Sequence, residues 1–217
     1  LTEASTPKKT ARTGDAINDS YKESKDTTHY SIVDKEGNAV AVTYTLGYSF
    51  GSGVTIPGTG ILTNNQMNNF AHSYGLKDSY YRSSSPANKL DPLKRPMSTM
   101  SPVMVFDSNG NLELITGSPG GSQIPGVILQ VLVNSIEFKL DIGAATMVPR
   151  IHQDSQSLSM EYEKFLSEDT LRILRSYGHN LKISDTMGST QSIEIKDGIK
   201  YGYADLRRPD AKVSIQQ

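Results

Sequence analysis

The stretch from Thr27 to Thr45 constrains the fold more than any other part of the chain: Thr-Thr-His-Tyr-Ser-Ile-Val, then Asp34-Lys35-Glu36-Gly37-Asn38, then Ala-Val-Ala-Val-Thr-Tyr-Thr. Two runs rich in β-branched and aromatic residues flank a polar cluster whose glycine can take φ > 0, the pattern of a β-hairpin. Closing the turn on Glu36-Gly37 sets Asp34 opposite Ala39 and Thr28 opposite Thr45, so Thr45 falls within one residue of Thr27. A strand that opens on two threonines and returns to a third permits two readings. Threonine is a good strand former. A threonine hydroxyl also becomes a nucleophile when a base sits beside it, and a chain-terminal amine is such a base. The second reading requires a cut between Asp26 and Thr27.

Residues 1–26 differ from the rest of the chain. They carry five basic and five acidic groups, and Leu1, Ile17 and Tyr21 are their only large hydrophobes. Such a stretch buries too little apolar surface to offset its ordering entropy, and a flexible tail is expected. Residues 27–217 are expected to form one domain. Gly47 to Gly60 reads as a Gly/Ser/Thr-rich loop over the hairpin end, and residues 71–95 as a long surface excursion. Met100–Phe106 and Leu112–Thr116 flank Asp107-Ser108-Asn109-Gly110-Asn111, a second hairpin. Ile124, Val127, Ile128, Val131, Leu132 and Ile136 then repeat at helical spacing, with Ser122 as N-cap and Pro125 in the first turn. A further helix is expected from Glu168 to Tyr177, capped by Ser167 and ended by Gly178, with Leu171 and Leu174 inward. Strands near Gln191–Ile195 and Lys200–Ala204 close the chain. Strands, then helices, then strands make an α+β protein.

Composition excludes several classes. A length of 217 residues supports one substantial core. A net charge of −1 with interspersed signs gives no footprint for nucleic acid or an anionic membrane. No apolar run approaches the roughly 18 residues of a membrane span. With no cysteine there is no disulfide framework, thiolate metal site or cysteine nucleophile, which leaves the compartment open. His29, His72, His152 and His179 are scattered without metal-ligand spacing, and neither a metal nor a cofactor is expected. By strand alternation His29 points away from Thr28, as a strand-packing histidine does. The chain opens on Leu rather than Met, as a piece of a longer translation product would, with any targeting segment upstream.

Two further groups can carry chemistry. Ser118-Pro119-Gly120-Gly121-Ser122 joins a strand to the long helix; its glycines allow close backbone approach, and successive amides at a helix start attract negative charge. That suits a tetrahedral oxyanion, and it equally suits a tight strand-to-helix turn. Ser98 and Thr99 precede a strand, where hydroxyls also satisfy local backbone groups.

The hairpin resembles the start of the small subunit of γ-glutamyltransferases, N-terminal-nucleophile hydrolases that activate themselves by cleaving before a threonine. Collinear matches occur at Gly60–Met67, Lys94–Pro102, Thr116–Ser122 and Gly188–Ser192. The resemblance implies a four-layer αββα sandwich, with residues 1–26 as the end of a large subunit and residues 27–217 as the small-subunit catalytic domain. It implies Thr27 as nucleophile, Thr45 as its hydrogen-bonding support, Gly120 and Gly121 as oxyanion hole, and Gly47, Gln66, Asn69, Ser98 and Thr99 around the substrate. Expected partners are the large subunit of the same precursor, which supplies an arginine for the substrate carboxylate, and glutathione or another γ-glutamyl amide. Neither nucleic acid nor membrane contact is expected, and a periplasmic or secreted location is implied. Two positions depart from the family pattern. Gly47 stands where many members have Asn, and Asn69 where they have the Asp that pairs with the substrate's α-ammonium. Losing that charge points to a second possibility, an acylase acting on a desamino acyl group such as glutaryl, as in the related cephalosporin acylases. A catalytically silent homologue serving as a binding subunit is the third.

Overall fold

The computed structural model describes residues 26–71, 86–154 and 157–216. Residues 1–25 of the tail expected at 1–26, most of the 71–95 excursion and His72 lie outside them. Strand β1 (Thr28–Val33) pairs antiparallel with β2 (Ala39–Tyr44), but the register differs by one residue from the expected one: Thr28 faces Tyr44 and Val33 faces Ala39. The turn holds three residues rather than two. The Asp34 amide donates to Asn38 O at 3.0 Å, Gly37 sits at φ 89°, and the Asp34 carboxylate accepts from both the amide and the side-chain nitrogen of Asn38. Continuing this register sets Thr27 opposite Thr45, closer than the expected pairing would bring them.

The same Asp-x-x-Gly-Asn device closes the second hairpin. Between β3 (Val103–Phe106) and β4 (Leu112–Thr116), Asp107 accepts from the Asn111 amide and side chain at 2.8 and 2.9 Å, and Gly110 takes φ 85°. Near the chain end come β8 (Gln191–Lys196) and β9 (Ile199–Ala204), and one antiparallel sheet runs in the order β3-β4-β8-β9. Leu114 on β4 meets Val131 and Ile142, with Val105, Leu132 and Tyr203 packed around them. Those partners belong to α1 (Ile124–Ile136) and α2 (Ile142–Met147), which cover this face of the sheet. Ile115 alternates to the opposite face and is fully buried there, where β1 crosses β4 and β8. The chain thus stacks helices, a four-stranded sheet and a hairpin.

Helix α1 buries Ile124, Val127, Ile128 and Val131 at the expected spacing, while Ile136 is partly exposed. Its start differs from expectation. A 3₁₀ turn at Gly121–Gln123 takes up the first residues, so Ser122 lies inside that turn and Gln123 holds the cap position without a side-chain cap bond. Helix α3 (Glu168–Ser176) has the expected ends: the Thr170 amide donates to Ser167 Oγ, and Gly178 at φ 88° breaks the helix. It connects β6 (Met160–Glu163) to the parallel β7 (Leu181–Ser184), and β5 (Ile151–His152) completes a three-stranded sheet. Neither α2 nor this small sheet was expected. Both are short, and β6 alternates charged with half-buried residues, which masks its apolar face.

Candidate active site

Thr27 immediately precedes β1 and is 5% exposed. Its carbonyl accepts a 3.0 Å bond from Arg208 Nη1, 181 positions later in the chain, while Asp26 Oδ2 accepts from Ser49 Oγ. A cleft of about 590 Å³ runs beside this junction, lined by Asp26, Thr28, Pro119, Gln191 and Arg208 among others. The fold therefore brings the Asp26–Thr27 bond to one cleft with Pro119, the residue before Gly120, while Gly120, Gly121 and Thr45 are not among the residues that line it. Thr45 Oγ1, beyond the end of β2, accepts from the Gly47 amide at 2.9 Å, which leaves its own proton to donate.

The glycine turn is shaped by a second loop. Gly120 takes φ 130° and Gly121 φ 56°, conformations that side chains other than hydrogen disfavour. Gly121 O accepts from the Ile124 amide and from Thr99 Oγ1 at 2.8 Å, which orients its peptide. The amides of Gly120 and Gly121 donate to no other described residue. Under the turn, Ser118 Oγ donates to Pro119 O at 2.6 Å and accepts from the Ser189 amide at 2.9 Å. Gly188 lies against it at φ 61°: a Cβ there would stand 2.5 Å from Ser118 Oγ and 3.0 Å from Pro119 O. The Gly188–Ser192 motif is thus the bracing of the glycine turn.

The expected substrate contacts fall into two groups. Gln66, Asn69 and Gly47 come together: Asn69 Nδ2 donates to Gln66 Oε1 at 2.8 Å, which leaves Asn69 Oδ1 to accept from elsewhere. Ser98 Oγ accepts from the Met100 amide at 3.2 Å and keeps a proton to donate. Thr99, by contrast, gives its proton to Gly121 O, so its hydroxyl ties the Ser98–Thr99 segment to the glycine turn.

His29 packs in the strand layer as its alternation indicated, with its ring so close to Gly117 that no Cβ fits there. Ser31 Oγ donates to Gln191 O at 2.8 Å, so it accepts from His29 Nε2–H, and Nδ1 accepts from Thr43 Oγ1 at 2.7 Å. These bonds fix a neutral tautomer, and burial lowers the His29 pKa from 6.5 to about 4. Among the described residues no group of three or more His, Cys, Asp or Glu could hold a metal ion, and no helix is long and apolar enough to cross a membrane.

Sequence reasoning missed the ionic cluster that holds the Arg208 segment. Asp205, fully buried, accepts from Arg150 Nη2 at 2.7 Å, from the amides of Thr190 and Arg207 at 3.0 Å each, and from Arg207 Nη1 at 3.2 Å. Glu163 takes Arg207 in a two-pronged grip at 2.6 and 2.7 Å and also accepts from the Met187 and Arg150 amides. Burial pushes the Glu163 pKa up, but Arg207 and the two amides outweigh it and hold the group below its usual range. Burial likewise lowers Arg207, yet its two carboxylates leave it raised; for Arg150 burial wins and the pKa is lowered. The only sequence signal was the run Asp205-Leu206-Arg207-Arg208, whose partners lie far away in the chain.

Solved structures of N-terminal-nucleophile hydrolases align with this fold. The chain belongs to the gamma-glutamyltranspeptidase family, whose sequence profile matches residues 2–215. It is 47% identical over 189 residues to the glutathione hydrolase proenzyme of Escherichia coli K12, covering 87% of this chain and 32% of that protein. The chain spans 27–32% of the length of three bacterial glutathione hydrolase proenzymes that it matches. An acivicin-inhibited γ-glutamyltranspeptidase, whose C-terminus is described as critical for autoprocessing and catalysis, superposes with TM-score 0.78 at 37% identity, covering 83% of this chain and 98% of that one. A cephalosporin acylase from Bacillus halodurans gives TM-score 0.73 at 28% identity over 86% of this chain and 33% of its own.

Proposed function

We propose that residues 27–217 are the small-subunit catalytic domain of a γ-glutamyl amide hydrolase or transpeptidase, released by self-cleavage from a precursor whose large-subunit part ends at Asp26. The observation that carries this reading is the place of the Asp26–Thr27 junction at one cleft with Arg208 and Pro119, the residue that precedes the two glycines. In the cut, Thr27 Oγ attacks the Asp26 carbonyl carbon, and the acyl group passes from nitrogen to oxygen. Water then hydrolyses the ester, leaving an Asp26 carboxylate and a free Thr27 amine. That amine takes the proton of its own hydroxyl as Oγ attacks the γ-glutamyl carbonyl. The Gly120 and Gly121 amides receive the oxyanion, each such donor being worth about 2.7–4 kcal/mol of barrier. The leaving amine departs with the proton, and the acyl ester goes to water or to an amino acid. Thr45 supports the nucleophile, and Ser98, with Thr99 behind it, faces the substrate carboxylate. The four-layer sandwich is completed by strands and helices of the large subunit, the partner that this reading requires.

A second reading, an acylase for desamino acyl amides, rests on Asn69, which offers a neutral oxygen where an ammonium would favour a carboxylate. A charge-assisted hydrogen bond is roughly twice as strong as a neutral one. Intact mass and N-terminal sequencing of the full precursor and its Thr27→Ala variant test the main reading. Expected is a new N-terminus at Thr27 in the unmodified protein and an uncut, inactive variant. Normal processing of the variant, or a mature N-terminus at Thr28, sinks the assignment.

A further inference from the structure

Gly47 does not leave a hole. A Cβ built on it would fall onto Asn65 Oδ1, would lie 2.9 Å from Asn65 Cγ, and would stand 3.4 Å from Gln66 Nε2. The Asn65 amide donates to Leu46 O at 2.9 Å, which fixes this side chain beside residue 47, one peptide away from the segment held by Thr45 Oγ1. Asn65 is half-buried, and its carboxamide bonds to no other described residue. Next to it stands the Gln66–Asn69 pair, so three carboxamides come together beside Gly47, and among the described residues no carboxylate bonds to them.

We infer that the Asn65 carboxamide occupies the place of the side chain that residue 47 lacks and is a specificity-determining contact for the acyl donor's ammonium. The inference rests on the γ-glutamyl reading above and deepens it. Asn65 Oδ1 and Asn69 Oδ1 together make a neutral acceptor pair, a site suited to acyl groups whose head is a zwitterionic α-amino acid but held by dipoles instead of charge. Residues 47 and 65 are coupled by volume: a side chain enters at one only if it leaves the other.

The test uses the processed two-subunit enzyme and two anilides, γ-glutamyl and glutaryl, which differ only in the amine. Asn65→Ala should raise KM for the γ-glutamyl anilide three- to tenfold, leave kcat within about twofold, and leave the glutaryl anilide unchanged, as expected for one neutral hydrogen bond. Asn65→Asp, of the same size, should increase the γ-glutamyl preference. Gly47→Asn should impair the enzyme on both substrates when Asn65 is present and should recover γ-glutamyl preference in the Asn65→Ala background, where the space is vacant. Asn visits positive φ more readily than most residues, and the strain at φ 92° is common to both backgrounds, so it cancels in the comparison. Equal effects on both anilides, or a Gly47→Asn enzyme as active with Asn65 as without it, would overturn the inference. If the unmodified enzyme turns over neither anilide, the γ-glutamyl reading falls and the inference with it. If it turns over the γ-glutamyl anilide and the Asn65 variants leave the ratio unmoved, only the inference falls.

Discussion

Replacing Asp205 by Asn changes one atom and should be among the costliest substitutions in the chain. The carboxylate receives four hydrogen bonds in a fully buried position, two of them from guanidinium groups. Asp205 and Glu163 balance Arg150 and Arg207, so the variant leaves a buried cluster with one net positive charge. Asn also presents an NH2 to a ring of donors, so at least one of Arg150, Thr190 or Arg207 loses its acceptor whichever way the amide turns. Arg150 is 1% exposed and cannot recover the loss from water. Breaking a buried pair in this way costs about 3–5 kcal/mol, a large part of the roughly 5–15 kcal/mol that holds a typical domain together. Urea unfolding of the full precursor, with Thr27→Ala in both proteins so that neither is cut, measures the difference. Processing of the Thr27 form, followed on a gel, should slow in parallel, because the Arg208 amide hangs from Asp205 O and its guanidinium holds Thr27. A loss below about 1 kcal/mol would show that water reaches the cluster and would refute the account.

Gly188→Ala should lower turnover tenfold or more, because its Cβ displaces Ser118 and Pro119 beneath the glycine turn, on top of a stability loss of about 1–2 kcal/mol for the left-handed residue alone; unchanged kcat in a folded variant would detach that loop from the chemistry. Asn69→Asp should raise the preference for γ-glutamyl over glutaryl anilides by roughly tenfold, about 1.4 kcal/mol, read from kcat/KM for both; no change would mean that other groups hold the amine. His29 has a lowered folded pKa, so the unfolded chain binds more protons between pH 6.5 and about 4. Its contribution is complete above this window and is lost as pH falls through it; His29→Gln should flatten that part of the stability profile, and identical profiles would remove His29 as a cause.

The range of each interaction decided whether the sequence showed it or hid it. Both hairpins, α1 and α3 were legible because their signals are local: alternation, helical spacing, Ser167 at one end and Gly178 at the other. The β1–β2 register was misjudged by one residue because Asp34 captures Asn38 and forces a three-residue loop. That bond repeats at Asp107 and Asn111, so the recurring Asp-x-x-Gly-Asn was a readable sign. The Asp205 cluster was illegible because its long-range bonds join residues 13 to 61 positions apart. The Ser118–Ser122 turn could be singled out as candidate chemistry, but its support by Gly188 required seeing two loops meet. Gly47 looked like an absence from sequence, and only the packing shows what fills it.

The bond between Arg208 and the Thr27 carbonyl has a consequence in time. Translation delivers the Asp26–Thr27 peptide first and, 181 residues later, the arginine that holds the Thr27 carbonyl beside it. On the proposed reading, cutting is therefore a completion signal: a nascent or prematurely terminated product has the bond to be severed but not the hand that holds it. A length series of truncated precursors should show scission only once Arg208 is included. A message that stops short of Arg208 would then yield no active enzyme, and the cell would need no separate inspector to prevent it.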